Sequence, residues 1–257
     1  MTVSDVLSWL NGIAPFDTAE PFDNVGLLLG DPNHSVHKIL FVMDLTEDVA
    51  DEAIRSGAGM IISHHPFIFH PLKRIDYYGP QGRSLVKLVD HRISVIAAHT
   101  NWDKASGGIS DSLAAQFGLL DISAADDYVR IGSLPSPLSI AAFEQLVCNS
   151  LHFRPRIYGN FSQTISRVAV AGGSYGEGYR CAVAAGAQAY LTGEIAHHEI
   201  LDACERGLTI LDSGHFATEF PGVKALYQRF LTDAKIAQWP VEALLYTKAP
   251  FAGASLA

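Results

Sequence analysis

The chain has 257 residues, 48% of them apolar, enough for a real core and against disorder. A net charge of −9 argues against nucleic acid as a partner, because phosphate binding needs a basic surface. Three scattered cysteines, Cys148, Cys181 and Cys204, have no metal-type spacing and read as small apolar residues in a reducing compartment.

The N-terminus shows no basic region followed by a long apolar run, and no segment reaches the length of a membrane span. A cytoplasmic protein with no membrane contact is expected. Ser4 is the expected N-cap of an amphipathic helix over 4–12, ended by Gly12 and Pro15. Residues 25–29 and 39–43 are apolar runs bounded by turn residues, hence strands. Thr46 caps a helix with Val49, Ala50, Ala53 and Ile54 on one face and Gly57 as its C-cap. Strand 60–62 delivers His64 and His65. Residues 84–90 read as helix, 93–98 as the strand that delivers His99, and 109–117 as helix.

The second half repeats this plan. Helix is expected over 138–151 and 180–185, the latter closed by Gly186, and strand over 156–158, 168–170, 189–191 and 208–211, the last delivering His215. Lys38-Ile39-Leu40-Phe41 matches Arg167-Val168-Ala169-Val170, and Gly57-Ala58 matches Gly186-Ala187, both at an offset of 129. His99 and His215 lie 116 apart, so about 13 residues are lost, assigned to segment 67–82. The fold expected is α/β: two duplicated, intertwined repeats, 1–127 and 128–257, packed together, with mostly parallel mixed sheets.

Candidate ligands collect at strand ends, where α/β proteins place their sites. His99 and Asp103, and His215 and Glu219, each pair an imidazole with a carboxylate four residues on. With His64 and His65 they make six nitrogen or oxygen donors and no thiolate, which points to a two-metal centre between the repeats holding Zn, Fe, Mn, Co or Ni. Adjacent histidines in an extended chain point to opposite sides and could serve different ions. Glu219 is a candidate bridge. Glu194 and His198, in a polar cluster with His197 and Glu199, read either as groups behind the ligands or as acid/base residues toward substrate. His34, His37, His91 and His152 are read as surface residues, and His70 as a residue that could line the cavity. Gly172-Gly173-Ser174 is read as a turn at a strand end, its spacing matching no phosphate-loop fingerprint.

The segments 19–27 (Ala-Glu-Pro-Phe-Asp-Asn-Val-Gly-Leu), Ser63-His64-His65-Pro66, His99-Thr100-Asn101-Trp102-Asp103, Thr192-Gly193-Glu194 through His198, and Gly214-His215-Phe216 with Glu219 are similar to a known family. The chain resembles, over nearly its whole length, the NGG-interacting-factor family of dinuclear metal-centre proteins, also called type 2 homologues of GTP cyclohydrolase I. Phe22 stands where that family usually has Trp, and Glu194 where Asp is usual. The resemblance implies two divalent metal ions per subunit on His64, His65, Asp103, His215 and Glu219, with His99 close by. It also implies a short form without an inserted domain, like bacterial members that form ring-shaped homohexamers. Two functions follow from it. One is a hydrolase acting through a metal-activated water on a small molecule, GTP in the cyclohydrolase version, with Asp103 or Glu194 shuttling protons and Glu194, His198 and His99 as catalytic candidates. The other is a non-catalytic metal chaperone or scaffold.

Overall fold

The computed structural model describes residues 1–251. In chain order it contains α1 (Val3–Ile13), β1 (Gly26–Leu29), β2 (Lys38–Val42), α2 (Glu47–Ser56), β3 (Met60–Ser63), α3 (Pro80–Asp90), β4 (Ser94–Ala97), α4 (Thr100–Lys104) and α5 (Ile109–Gln116). There follow β5 (Leu120–Ala124), β6 (Arg130–Ser139), α6 (Ile140–Leu151), β7 (Arg156–Tyr158), β8 (Thr164–Val170), α7 (Tyr179–Ala184) and β9 (Ala189–Thr192). The chain continues through α8 (His197–Glu205), β10 (Thr209–Asp212), α9 (His215–Ile236) and β11 (Glu242–Leu245). Among the described residues no helix is long and apolar enough to cross a membrane.

The chain divides into two compact units. One comprises Met1–Ser106 with Val223–Pro250, and Gly107–Gly222 is the main part of the other. The first unit carries a five-stranded sheet in the order β1-β4-β3-β2-β11. Its pairings are parallel except β1 with β4. Successive strand residues face opposite sides, so Leu40 and Val42 pack with Val49, Ala50 and Ala53 of α2 and Leu88 of α3. Phe41, between them, meets Tyr227 and Phe230 of α9 at ring separations of 5.7 and 5.4 Å, and Trp9 of α1 meets Phe230 at 5.0 Å. The strand β11, from the far end of the chain, pairs with β2 and closes this sheet, which is the intertwining expected of the repeats.

The second unit carries the order β5-β6-β8-β9-β10-β7. Helix–strand alternation predicts parallel pairing, and β8-β9-β10 obey it, while β5, β6 and β7 join antiparallel. Leu113 of α5 and Phe143 and Val147 of α6 cover one face, and Tyr179 and Ala182 of α7 with Ala203 of α8 cover the other.

The duplication is visible in the ladders. Ile39 faces Met60 and Val168 faces Ala189, each residue of the second pair 129 after its counterpart. Gly57 and Gly186 both end their helices at positive φ, 71° and 75°. After β3 and β9 the offset falls to 115, since Ser63 faces Ala97 and Thr192 faces Asp212. One extra residue, Gly214 at φ 78°, then restores the spacing of 116 between His99 and His215.

Two local expectations are corrected. Thr2, not Ser4, caps α1, because Thr2 Oγ1 accepts from Asp5 N at 3.2 Å while Thr2 N donates to Asp5 Oδ2 at 2.7 Å, a reciprocal cap. Helix α3 starts at Pro80 rather than 84, with the proline at the first helical position, where its missing N–H is not needed.

Candidate metal centre

In the first unit the ladder between β2 and β3 continues two residues beyond the strand. His64 N donates to Val42 O at 3.1 Å and His65 N to Met43 O at 3.0 Å. That pairing fixes where both rings leave the backbone. His64 is 2% exposed, and its Nδ1 lies 2.8 Å from the Ala98 carbonyl. A carbonyl only accepts, so Nδ1 carries the proton and Nε2 is the lone-pair nitrogen. His65 Nδ1 lies 2.7 Å from Asp44 Oδ1, and His99 Nδ1 lies 2.9 Å from Asp23 Oδ1.

His99 precedes α4, and Asn101 holds the turn by accepting from His99 N at 3.0 Å and donating to Ala14 O at 2.8 Å. Asp23 also accepts from Thr100 N at 3.0 Å and Thr100 Oγ1 at 2.5 Å. Burial alone would raise the Asp23 carboxyl, but the hydrogen bonds from His99 and Thr100 outweigh it and hold it well below the usual carboxylate range. The three imidazoles sit together, with His99 5.2 Å from His64 and 5.5 Å from His65 between ring centres. Each offers a ligand atom, and these lie within 4.8 Å of one another. Asp103, one helical turn past His99, brings Oδ1 to 3.6 Å from His64 Nε2.

The second unit builds a matching piece. Gly193 and Glu194 follow β9 at the place His64 and His65 take after β3. Both their N–H groups donate to Gly173 O, at 2.9 and 3.0 Å. Glu194 Oε2 then lies 3.3 Å from His215 Nδ1, and Glu219 Oε2 lies 3.1 Å from His215 Nε2. Glu219 is 4% exposed. Glycines bring the backbone against this turn of α9. A Cβ on Gly173 would stand 2.0 Å from Glu219 Oε1, and one on Gly193 would stand 2.8 Å from His215 Cα. The Gly172-Gly173 amides are spent on Ser110 and Thr218 hydroxyls, at 3.3 and 3.1 Å, so this turn is a packing device and not an anion cradle. Glu194 also lines an open cleft of about 350 Å³ with Tyr175, Glu177 and Glu199.

Within each piece an imidazole nitrogen faces a carboxylate oxygen while the second imidazole nitrogen faces another oxygen. Two acceptors facing one another favour a cation or a shared proton between them, so the donor set fits divalent metal ions that prefer nitrogen and oxygen. Asp44 and Asp23, which the sequence reading passed over as ligand partners, are the acceptors behind His65 and His99. Their signal was only a carboxylate at the end of a predicted strand and one in a Pro/Asp/Gly loop. His198 is exposed and makes no hydrogen bond or ion pair among the described residues. His37, His91 and His152 are exposed as expected, His34 is half-buried, and His70 is exposed with its ring 4.8 Å from Phe69.

A fold of two mixed sheets with histidines and carboxylates grouped at strand ends puts the chain among α/β proteins whose side chains could hold a metal ion. The chain belongs to the Duf34/NIF3 (NGG1p interacting factor 3) family, whose model matches residues 1–250. It is 34% identical over 230 residues to the "GTP cyclohydrolase 1 type 2 homolog" of Clostridium perfringens, covering 86% of this chain and 88% of that one. Staphylococcus aureus hypothetical protein SA1388 superposes with a TM-score of 0.91 at 29% identity over 98% of both chains. A Bacillus cereus protein related to NIF3 shares the fold with a TM-score of 0.94, 22% identity and 98% coverage of both chains.

Proposed function

We propose that this chain is a dinuclear metal-binding protein, with His64, His65, Asp103, His215 and Glu219 as ligands, acting as a metal-dependent hydrolase. The observation that carries the reading is the repeated second-nitrogen contact. His64, His65, His99 and His215 each have Nδ1 against an oxygen, which sets Nε2 as the ligating atom. In this reading Asp44, Asp23 and Glu194 position imidazoles, and His99 stands beside the ligands as an acceptor toward substrate. Glu194, which also positions His215, stays with His198 and His99 as the catalytic candidates of this reading. Bound divalent ions would supply a water acidified toward neutral pH and a positive field for a developing oxyanion. Asp103 and Glu219 accept protons or metal, and the buried setting of Glu219 limits competing water. The relatives' shared name makes GTP the first substrate to try. Cytoplasmic location and assembly as a ring-shaped homohexamer belong to the same proposal, the latter read by light scattering.

Elemental analysis of untagged protein, purified without added metal, tests the centre. About two ions per chain retained through dialysis are expected, and Glu219→Gln should lower occupancy of both. Full metal in that variant would remove Glu219 as a bridge. Substoichiometric, rapidly exchanging metal without turnover would favour metal handling over hydrolysis.

A further inference from the structure

The second repeat passes from β9 to β10 with 14 fewer residues than the first uses from β3 to β4, as the fall in offset from 129 to 115 shows. The extra chain, the loop after His65, is therefore not required to complete an α/β unit of this kind. It is nonetheless tied down. Asn24 Nδ2 donates to Ile68 O at 2.5 Å, Gln81 Nε2 donates to Phe67 O at 2.7 Å, and a Cβ on Gly82 would stand 1.8 Å from Asp76 O. A loop held this way still exposes Phe69, Tyr77 and Tyr78, and Phe22 beside it is 65% exposed. Apolar rings held in water are unfavourable, and on a fixed loop they mark a surface that something covers.

These rings lead to the histidines. Phe22 lies 6.4 Å from Phe69, and Phe69 lies 6.2 Å from His99, at an interplanar angle of 80°. Both separations are within the range of aromatic contact. The same loop carries Lys73 and Arg74, both exposed and, among the described residues, in no ion pair, on a chain of net charge −9. Arg74 lines a hollow of about 200 Å³ with Leu72, Ile75 and the start of α3.

We propose that Phe22 and Phe69 form a seat for the planar heteroaromatic ring of a small anionic ligand, with Lys73 and Arg74 drawing its negative group and His99 meeting the inner edge of the ring. The aromatic chain and the unmatched loop define the ring seat by themselves. What the seated molecule is for rests on the metal-centre reading. The chemistry selects a flat π-system with an attached phosphate or carboxylate, and aromatic stacking tolerates variation in the ring itself.

The test is equilibrium binding to metal-loaded and to chelated protein. AMP and GMP serve as ring plus anion, adenosine and guanosine as ring alone, and ribose 5-phosphate as anion alone. A purine monophosphate should bind at least 10-fold more tightly than its nucleoside or ribose 5-phosphate. Phe22→Leu and Phe69→Leu should each weaken it roughly 2- to 10-fold, the range of one aromatic contact. Lys73→Gln with Arg74→Gln should flatten its salt dependence. Unchanged melting temperature and metal content in the Leu variants would exclude misfolding. No binding by either monophosphate at 5 mM, or unchanged affinity in both Leu variants, overturns the seat. Ring binding without any metal content would refute the metal centre and leave the seat standing, and retained metal without ring binding would do the reverse.

Discussion

At the scale of single residues, the carboxylates behind the imidazoles carry the most specific expectation. Asp44 touches His65 at its outer nitrogen, 2.7 Å away, and a ligand set held from behind binds metal more tightly than one that must be ordered on binding. Asp44→Ala should therefore weaken metal binding by about 10- to 100-fold while leaving the ligand residues in place, as competition with a chelating dye would read. Unchanged affinity would mean that His65 is not a ligand. A second expectation concerns Cys181. Burial, the hydrogen bond with Asp126 and the nearby carboxylates push its thiol up to about 11, so alkylation at pH 8 should be slow beside a free thiol. The proposed ligand residues come from a pattern in one dimension, a histidine at the end of an apolar run. Their partners do not, since Asp23 and His99 are 76 positions apart and only the fold brings them together.

At the scale of elements, α2 and α3 are joined by charge. Arg83 Nε donates to Glu47 at 2.8 Å, and Lys87 reaches Glu47 at 3.1 Å and Asp51 at 2.5 Å. The hydrogen bond from Arg83, then that from Lys87, lowers Glu47 to about 2. A carboxyl depressed in the folded state adds stability above its ordinary pKa of roughly 4.3 and loses it as pH falls toward the folded value. Glu47→Gln should accordingly flatten the stability profile between about pH 4 and 2, an effect that high salt should shrink because these groups are exposed. An identical acid limb in both proteins would show the pairs to be idle. The sequence disclosed helix α2 with both caps and the parallel strands β2, β3, β4, β8, β9 and β10, but not β11, which joins β2 in parallel from residues 242–245. It did not disclose β6, where Pro135 and Pro137 imitate a loop and the ladder with β8 shifts between Ser133 and Leu138. Nor did it disclose α9, which runs through Pro221, a residue that normally ends a helix. There Gly222 lets the helix approach Ile109, whose Cα would stand 2.7 Å from an added Cβ.

At the scale of the whole molecule, a ligand that binds only the folded chain stabilises it by mass action. Metal at 100 times its dissociation constant should add about 2.7 kcal/mol, and chelation should lower the melting temperature accordingly. A melting curve indifferent to both would argue against binding by the folded state. Another expectation comes from β11. Ending the chain at residue 240 would strip β2 of its neighbour and uncover the cluster that Leu244 and Tyr246 pack against. Such a protein should bind hydrophobic dyes and aggregate, and one that stayed dispersed and melted normally would show the strand to be dispensable. The arrangement also sets an order of events during synthesis. Gly107–Gly222 is continuous, whereas the unit that starts at Met1 waits for Val223–Pro250. A ribosome must pass residue 245 before β2 can find β11, its neighbour in the sheet. Assembly on the ribosome thus runs against the direction of translation, with the middle of the chain settling first and the beginning last. Nascent chains stalled with residue 222 clear of the exit tunnel should already protect the middle from protease while the N-terminal hundred residues remain cleavable.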